Sequence, residues 1–308
     1  LTAADSISTG PKAWNTWIAA LQEGLFLNIQ STLKNGELTS GDALEQVERK
    51  KQEIFKAAPE EQADLERLFA IMSPRYLLYT PAADIMEHIR LFKNLGAAHF
   101  VWEIGKSAVP RARRVTICAR DFPGLFSKIA GVFTLNGVDI LNATIFTWRN
   151  NVALDVFNVR PPADDLMEQE KWKKAEKDLR DALAGELDLE KAIRERTGIY
   201  GFQKPRASER EVRVVVDNES SSFFTIVEVY THDYPGLLFG ITDALFKCRL
   251  DIWVAKISTK VDQVVDVFYV RDFDGQKVEA PDQTEAIKTA LNQAMVKARE
   301  AACLYAAH

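Results

Sequence analysis

The sequence predicts an α+β chain, an all-helical region followed by two copies of one small βαββαβ module, and three observations carry this. First, a passage occurs twice: Asp121-Phe122-Pro123-Gly124-Leu125 returns as Asp233-Tyr234-Pro235-Gly236-Leu237. Second, the residues downstream of each copy match in order. Asp139-Ile140 returns as Asp251-Ile252, Ala143, Ile145 and Thr147 as Ala255, Ile257 and Thr259, and Asp155-Val156-Phe157 as Asp266-Val267-Phe268. Third, the chain before the first copy repeats its apolar residues at helical rather than strand spacing. Two copies are too few for a solenoid, so paired domains are expected.

Residues 1–108 are read as helical. Pro11, Pro59 and Pro81 each stand where a first helical turn would begin, where proline forfeits no needed hydrogen bond. Pro11 opens a segment with Trp14, Trp17, Ile18, Leu21, Leu25 and Ile29 on one face. Thr80-Pro81 can cap a helix carrying Ile85, Ile89 and Phe92, closed by Gly96. Residues 109–222 hold the first module. Its elements are a strand at 114–119, a helix at 123–136 and two alternating strands at 139–148 and 152–159. The strands are separated by the turn signal Arg149-Asn150-Asn151, and a helix at 167–183 comes next. The stretch 185–210 is mixed and polar and suggests no element, while 212–216 is β-branched and reads as the module's last strand. Residues 223–308 hold the second module, with strands at 224–231, 251–259 and 264–271 and helices at 235–248 and 282–302. No final strand is legible there, so one sheet edge is expected to be open to the other copy or to a partner chain. The full order, strand–helix–strand–strand–helix–strand, is ferredoxin-like.

The totals restrict function. At 308 residues the chain has room for a sizeable core, and 47% hydrophobic with 27% charged residues is ordinary globular composition. A net charge of −5 argues against nucleic acid or an anionic membrane as partner. Three scattered cysteines without a Cys-x-x-Cys fit reduced thiols in a cytoplasm. No apolar run reaches the ~18 residues of a membrane span. Leu1 to Asp5 reads as the middle of a helix without a cap, so the chain is expected to be a piece of a longer protein. The four histidines have no metal-ligand spacing, and no glycine-rich phosphate loop is present.

The repeated turn has the chemistry of an amino-acid site. Gly124 and Gly236 lack a Cβ, so a ligand can come close to the backbone. Pro123 and Pro235 pre-set a helical turn whose free N–H groups suit a carboxylate, with Leu125 and Leu237 next in line. Asp121 and Asp233 can meet an ammonium group, and Asp139-Ile140 and Asp251-Ile252 open a strand at the same end of the sheet. The alternative is that Asp-x-Pro-Gly is simply a good turn and helix start.

In both copies, strand, Asp-x-Pro-Gly-Leu, helix and Asp-Ile resemble the ACT domain, a ferredoxin-like module that binds amino acids and regulates the enzyme it is attached to. The resemblance extends to Val212-Arg213-Val214-Val215-Val216-Asp217, Phe224 to Val229, Val264 to Val270, Pro74-Arg75-Tyr76 and Ala4-Asp5 with Gly10-Pro11. The whole is similar to the C-terminal portion of the bifunctional uridylyltransferase/uridylyl-removing enzyme family of bacterial nitrogen control. That resemblance implies upstream transferase and HD hydrolase domains acting on the PII signal protein, and two ACT domains sensing L-glutamine. It makes residues 1–108 the tail of the HD domain with linker helices, and Asp5 the last of a His…His-Asp…Asp set holding a divalent metal, Mg or Mn. The other ligands are not in this sequence, and one carboxylate cannot hold a catalytic metal. No catalytic residue and no cofactor are therefore expected here, and uridylyl removal by this chain alone is disfavoured. A purely structural or docking ACT pair, or a sensor of another amino acid, stays open, as does the choice of binding copy.

Overall fold

The computed structural model describes residues 41–161, 168–199, 212–221, 223–232, 234, 236–257, 259–260 and 263–304. The helix opened by Pro11, Asp5, and the site candidates Asp233 and Pro235 lie outside them. Two compact units divide the chain, one up to Glu87 and one from His88.

In the first unit, α1 (Gly41–Ala57), a 3-10 turn opened by Pro59, α2 (Gln62–Ile71) and α3 (Pro74–Tyr79) bury Ile54, Leu65, Phe69, Met72 and Tyr76. Ser73 caps α3 by accepting from the Tyr76 N–H at 3.1 Å. Lys50 closes the other end, its Nζ donating to the carbonyls of Leu77, Leu78 and Thr80 at 2.6–2.8 Å. A further helix, α4 (Ala82–Leu95), begins after Pro81 and stops at Gly96, as its sequence predicts.

The second unit holds both modules. The first builds a four-stranded antiparallel sheet in the order β1 (Phe100–Lys106), β2 (Arg113–Arg120), β4 (Val152–Arg160), β3 (Asp139–Trp148). Helices α5 (Leu125–Leu135) and α6 (Glu168–Ala184) cover one face. Phe157 on β4 sits between Phe126, stacked at 5.8 Å, and Phe133, edge-on at 5.3 Å. Each such buried ring contributes about 1.5–3 kcal/mol. The second module repeats the plan with β5 (Arg213–Asp217), β6 (Thr225–His232), β9 (Gln263–Asp272) and β7 (Leu250–Lys256), and a short β8 (Thr259–Lys260) on β9. Its helices are α8 (Leu237–Lys247) and α9 (Pro281–Leu304).

Two expectations are corrected. Residues 212–216 do not return as the last strand of the first sheet. As β5 they pair antiparallel with β6 of the second. The place they were expected to fill is taken by β1, which pairs along its whole length with β2. Each sheet thus receives its fourth strand from the chain just before it, and β6, expected to lie unpaired at the edge of the second sheet, is covered by β5. The cause is local. Asn218 donates to the Val278 carbonyl and accepts from Thr225, and Lys277 binds the carbonyls of Asn218 and Ser221. These bonds tie the β5–β6 connection to its own module, and a short connection favours neighbours in sequence.

The segment without an expected element contains α7 (Leu189–Ile199), and it reaches both modules. Leu189 lies against Gly131 of α5, Ile193 against Gly236, and Glu190 approaches Lys247 of α8 at 3.8 Å. Helices α5 and α8 themselves pack against each other in opposite directions. Gly124 meets Phe246, Gly131 meets Phe239, and Thr134 meets Gly236. Beneath them the sheet edges β3 and β7 run side by side, and one continuous core joins the modules.

Gly124 and Gly240 should therefore respond oppositely to alanine. At Gly124 the backbone φ is +90°, and an added Cβ would meet the Phe246 ring at 3.0 Å. Gly240 is helical, and its Cβ would find only ordinary contacts near 4 Å. Denaturant unfolding should show Gly124→Ala losing about 1–3 kcal/mol and Gly240→Ala gaining about 0.5–1 kcal/mol.

Candidate ligand site

The described residues of the repeated motif share one hydrogen bond and one left-handed glycine in both copies. Phe122 to Leu125 is a type II turn, with Leu125 N–H donating to the Phe122 carbonyl at 3.1 Å and Gly124 in the left-handed region. Leu237 N–H likewise donates to Tyr234 at 2.9 Å, with Gly236 at φ +80°. This turn demands glycine at its third position. The glycines thus serve the turn and the packing of the neighbouring module, since Phe246 already covers Gly124 and Ile193 with Thr134 covers Gly236.

Beside the first elbow, where the two modules meet, lies a small cleft with a cavity volume of about 20 Å³, open to solvent on one side. Asp121, Phe122, Gly124 and Leu125 line it from the first module, and Thr242, Phe246, Asp251 and Ile252 from the second. Phe126 and Ser127, in the first turn of α5, also line it. The amides of a first helical turn have no carbonyl of their own helix to bond and suit an anion.

The cleft is acidic. Asp121 accepts from the Thr147 hydroxyl at 3.1 Å, and burial holds its pKa above the ordinary value against the pull of that bond. Burial, with the Asp121 charge adding to it, pushes Asp251 up to about 6. Asp155, on β4 at the cleft wall, is 2% exposed, and burial followed by repulsion from Asp121 raises it well above the usual range. No lysine, arginine or histidine among the described residues forms an ion pair with any of the three. Also among the described residues, no group of three or more His, Cys, Asp or Glu is placed to hold a metal ion. The uncompensated charge suits an organic cation such as an ammonium group.

Of the residues singled out by sequence, Asp121, Gly124, Leu125, Asp251 and Ile252 come together here. Asp139 does not. Its carboxylate is held by Arg160 at 3.0 Å on the neighbouring strand. Ile140 and Leu237 are buried in the core, Gly236 packs against α7 and α5, and Pro123 is exposed. A β-bulge comes after Asp139 and Asp251 at the same place in each module, between Ile140 and Asn142 and between Ile252 and Val254. Bulges of this kind re-aim side chains at sheet edges. Asp155, Thr147, Thr242 and Phe246 were missed as site residues. The signal for Asp155 was a carboxylate repeated as Asp266 and flanked by apolar residues on both sides.

Residues 213–302 match the model of an ACR9-like, ACT-like domain. Over 96% of its length the chain is 34% identical to the bifunctional uridylyltransferase/uridylyl-removing enzyme of Rhodospirillum rubrum, and 33% identical to that of Azospirillum brasilense. Over 97% it is 31% identical to that of Gluconobacter oxydans. It spans 32% of the length of each of these relatives. The resemblance read from the sequence is thus borne out: over nearly its whole length the chain is similar to part of such enzymes, and its C-terminal module to an ACT-like domain. Among the described residues no helix is long and apolar enough to cross a membrane.

Asp251 gives the site a pH signature. Its folded pKa of about 6 lies above that of the unfolded chain, so the native state holds the proton more tightly. The stability this provides is full below about pH 4 and is lost as pH rises through 6. Asp251→Asn should raise the thermal midpoint by about 2–4 °C at pH 8 and leave it unchanged near pH 3.5. Melting curves at the two pH values check this.

Proposed function

We propose that the paired modules are the glutamine-sensing portion of a cytoplasmic uridylyltransferase/uridylyl-removing enzyme, and that L-glutamine binds between them at this cleft, which widens to admit it. The observation that carries this reading is the convergence of Asp121 from one module and Asp251 from the other beside the first turn of α5. The ligand's ammonium group lies between the two carboxylates, and its α-carboxylate takes the amides of the helix start. The walls formed by Phe122, Phe246 and Ile252 exclude water from the side chain's aliphatic part.

A ligand held by both modules stabilises one arrangement of them over others. It can shift a distant equilibrium only by its difference in affinity for the two arrangements. In the intact protein that difference would bias uridylyl transfer to PII against uridylyl removal by the upstream transferase and HD domains. The divalent Mg or Mn implied for removal would be held upstream, with Asp5 as one ligand. The described residues contain no set for it, and no step of sensing involves it.

The pseudo-equivalent position, where Asp139 would serve with the second elbow, is less suited, because Arg160 already neutralises Asp139. This favours the first elbow as the binding copy. Isothermal titration should show saturable binding of L-glutamine to the chain. Asp251→Asn should weaken it by about tenfold or more, in line with loss of a charge-assisted bond, and Asp139→Asn should leave it unchanged. A folded chain that gives no heat with L-glutamine would favour the scaffolding reading.

A further inference from the structure

Asp155 and its repeat counterpart Asp266 are buried carboxylates of the second unit outside the turn motif, and of the two only Asp155 has a buried oxygen left without a partner among the described residues. Asp155 lies on the core-facing side of β4, between Ala153 and Phe157 along the strand and opposite Ile117 and Ile145 on its neighbours. Its Oδ1 is shut off from solvent and has no hydrogen-bond partner among the described residues. Leaving a buried polar atom unsatisfied costs about 1–3 kcal/mol, more for a charged group, and such exceptions in a native protein call for a reason. Thr147 attends to Asp121, not to Asp155.

We propose that Asp155 is a further ligand-binding residue, which accepts a hydrogen bond from the ammonium group of the amino acid at the inner wall of the inter-module cleft. This rests on the sensing reading above and adds to it a determinant of specificity. Among the described residues, the groups placed around Asp155 contain no cation. Asp121 comes from the β2–α5 turn, Cys118 from β2, Thr147 from β3, Ser127 from α5, and Thr242 and Asp251 from α8 and β7. A proton is then what neutralises Asp155 in the empty cleft, consistent with the direction in which burial and Asp121 drive it. An arriving ammonium group takes over that task, and the proton leaves to the buffer. A ligand without the amino group gives Asp155 nothing in exchange, so a site built this way rejects it strongly.

The test uses the whole chain and isothermal titration with L-glutamine and with its analogue lacking the α-amino group, 4-carbamoylbutanoate. Titrations are run in phosphate and in Tris, whose heats of ionisation differ. The wild type is expected to bind L-glutamine, to ignore the analogue, and to show a binding heat that depends on the buffer. Asp155→Asn is nearly isosteric with the protonated carboxyl group and cannot ionise. It is expected to keep or raise the thermal midpoint, to weaken L-glutamine binding by about tenfold or more, and to reduce the buffer dependence. If Asp155→Asn bound L-glutamine like the wild type with the same buffer dependence, the role of Asp155 would be overturned while sensing stood. Binding of the analogue by the wild type as tightly as L-glutamine would overturn that role equally, without any variant. Failure of the wild type to bind L-glutamine in either buffer would instead overturn the sensing reading itself.

Discussion

The antiparallel packing of α5 against α8 is the contact on which the rest of the second unit depends. Small residues let the two helices approach. Phe246 lies over Gly124, Phe239 over Gly131, and Gly236 faces Thr134. A methyl group at Gly131 would already stand 2.9 Å from the Phe239 ring. Because the helices are held this closely, the sheet edges β3 and β7 lie alongside one another, and Asp251 of one module arrives beside Asp121 of the other. The acidic cleft is a consequence of the helix contact. A carboxylate placed against another carboxylate, both partly removed from water, is unfavourable by itself. The hydrophobic core that runs through both modules supplies the stability that sustains it.

The contact is self-complementary across the duplication, in the way a two-fold interface between identical subunits is. Gly124 and Gly236 are equivalent, and so are their partners Phe246 and Thr134. The duplication makes two related elbows, and the differences between them decide what each can do. At the first, the bulk of Phe246 and the unpaired Asp251 make a walled, negatively charged cleft. At the second, a threonine replaces the ring and Arg160 cancels the charge of Asp139. These few substitutions make the two elbows chemically unequal.

Much of the fold was legible because the local signals were strong. The alternation in 139–148 and 152–159, the prolines at 59 and 81 and the glycine-bearing turns each specify an element within a few residues. Partnership was illegible. Whether Val214 and Val216 pair with the sheet before them or the sheet after them is decided by Asn218 and Lys277, whose bonds reach across about sixty residues. The alternation of Phe100, Trp102 and Ile104 was present but came directly after a helix, so β1 was absorbed into the helical region. At the site, the motif pointed to Asp121 and Gly124 but assigned the glycine to the ligand, whereas the turn and Phe246 require it. Asp155 was legible only as part of a repeat, and its burial becomes visible when β4 is placed beneath α5.

The sensing mechanism we propose requires that one amino acid be held by both modules at once. A crystal structure of the chain with L-glutamine tests this most directly. Density for the ligand is expected between Asp121 and Asp251, its ammonium group within hydrogen-bond distance of carboxylates from both modules and its carboxylate at the first turn of α5. Density confined to one module away from this cleft, or a cleft left without ligand while L-glutamine is bound elsewhere on the chain, would contradict it.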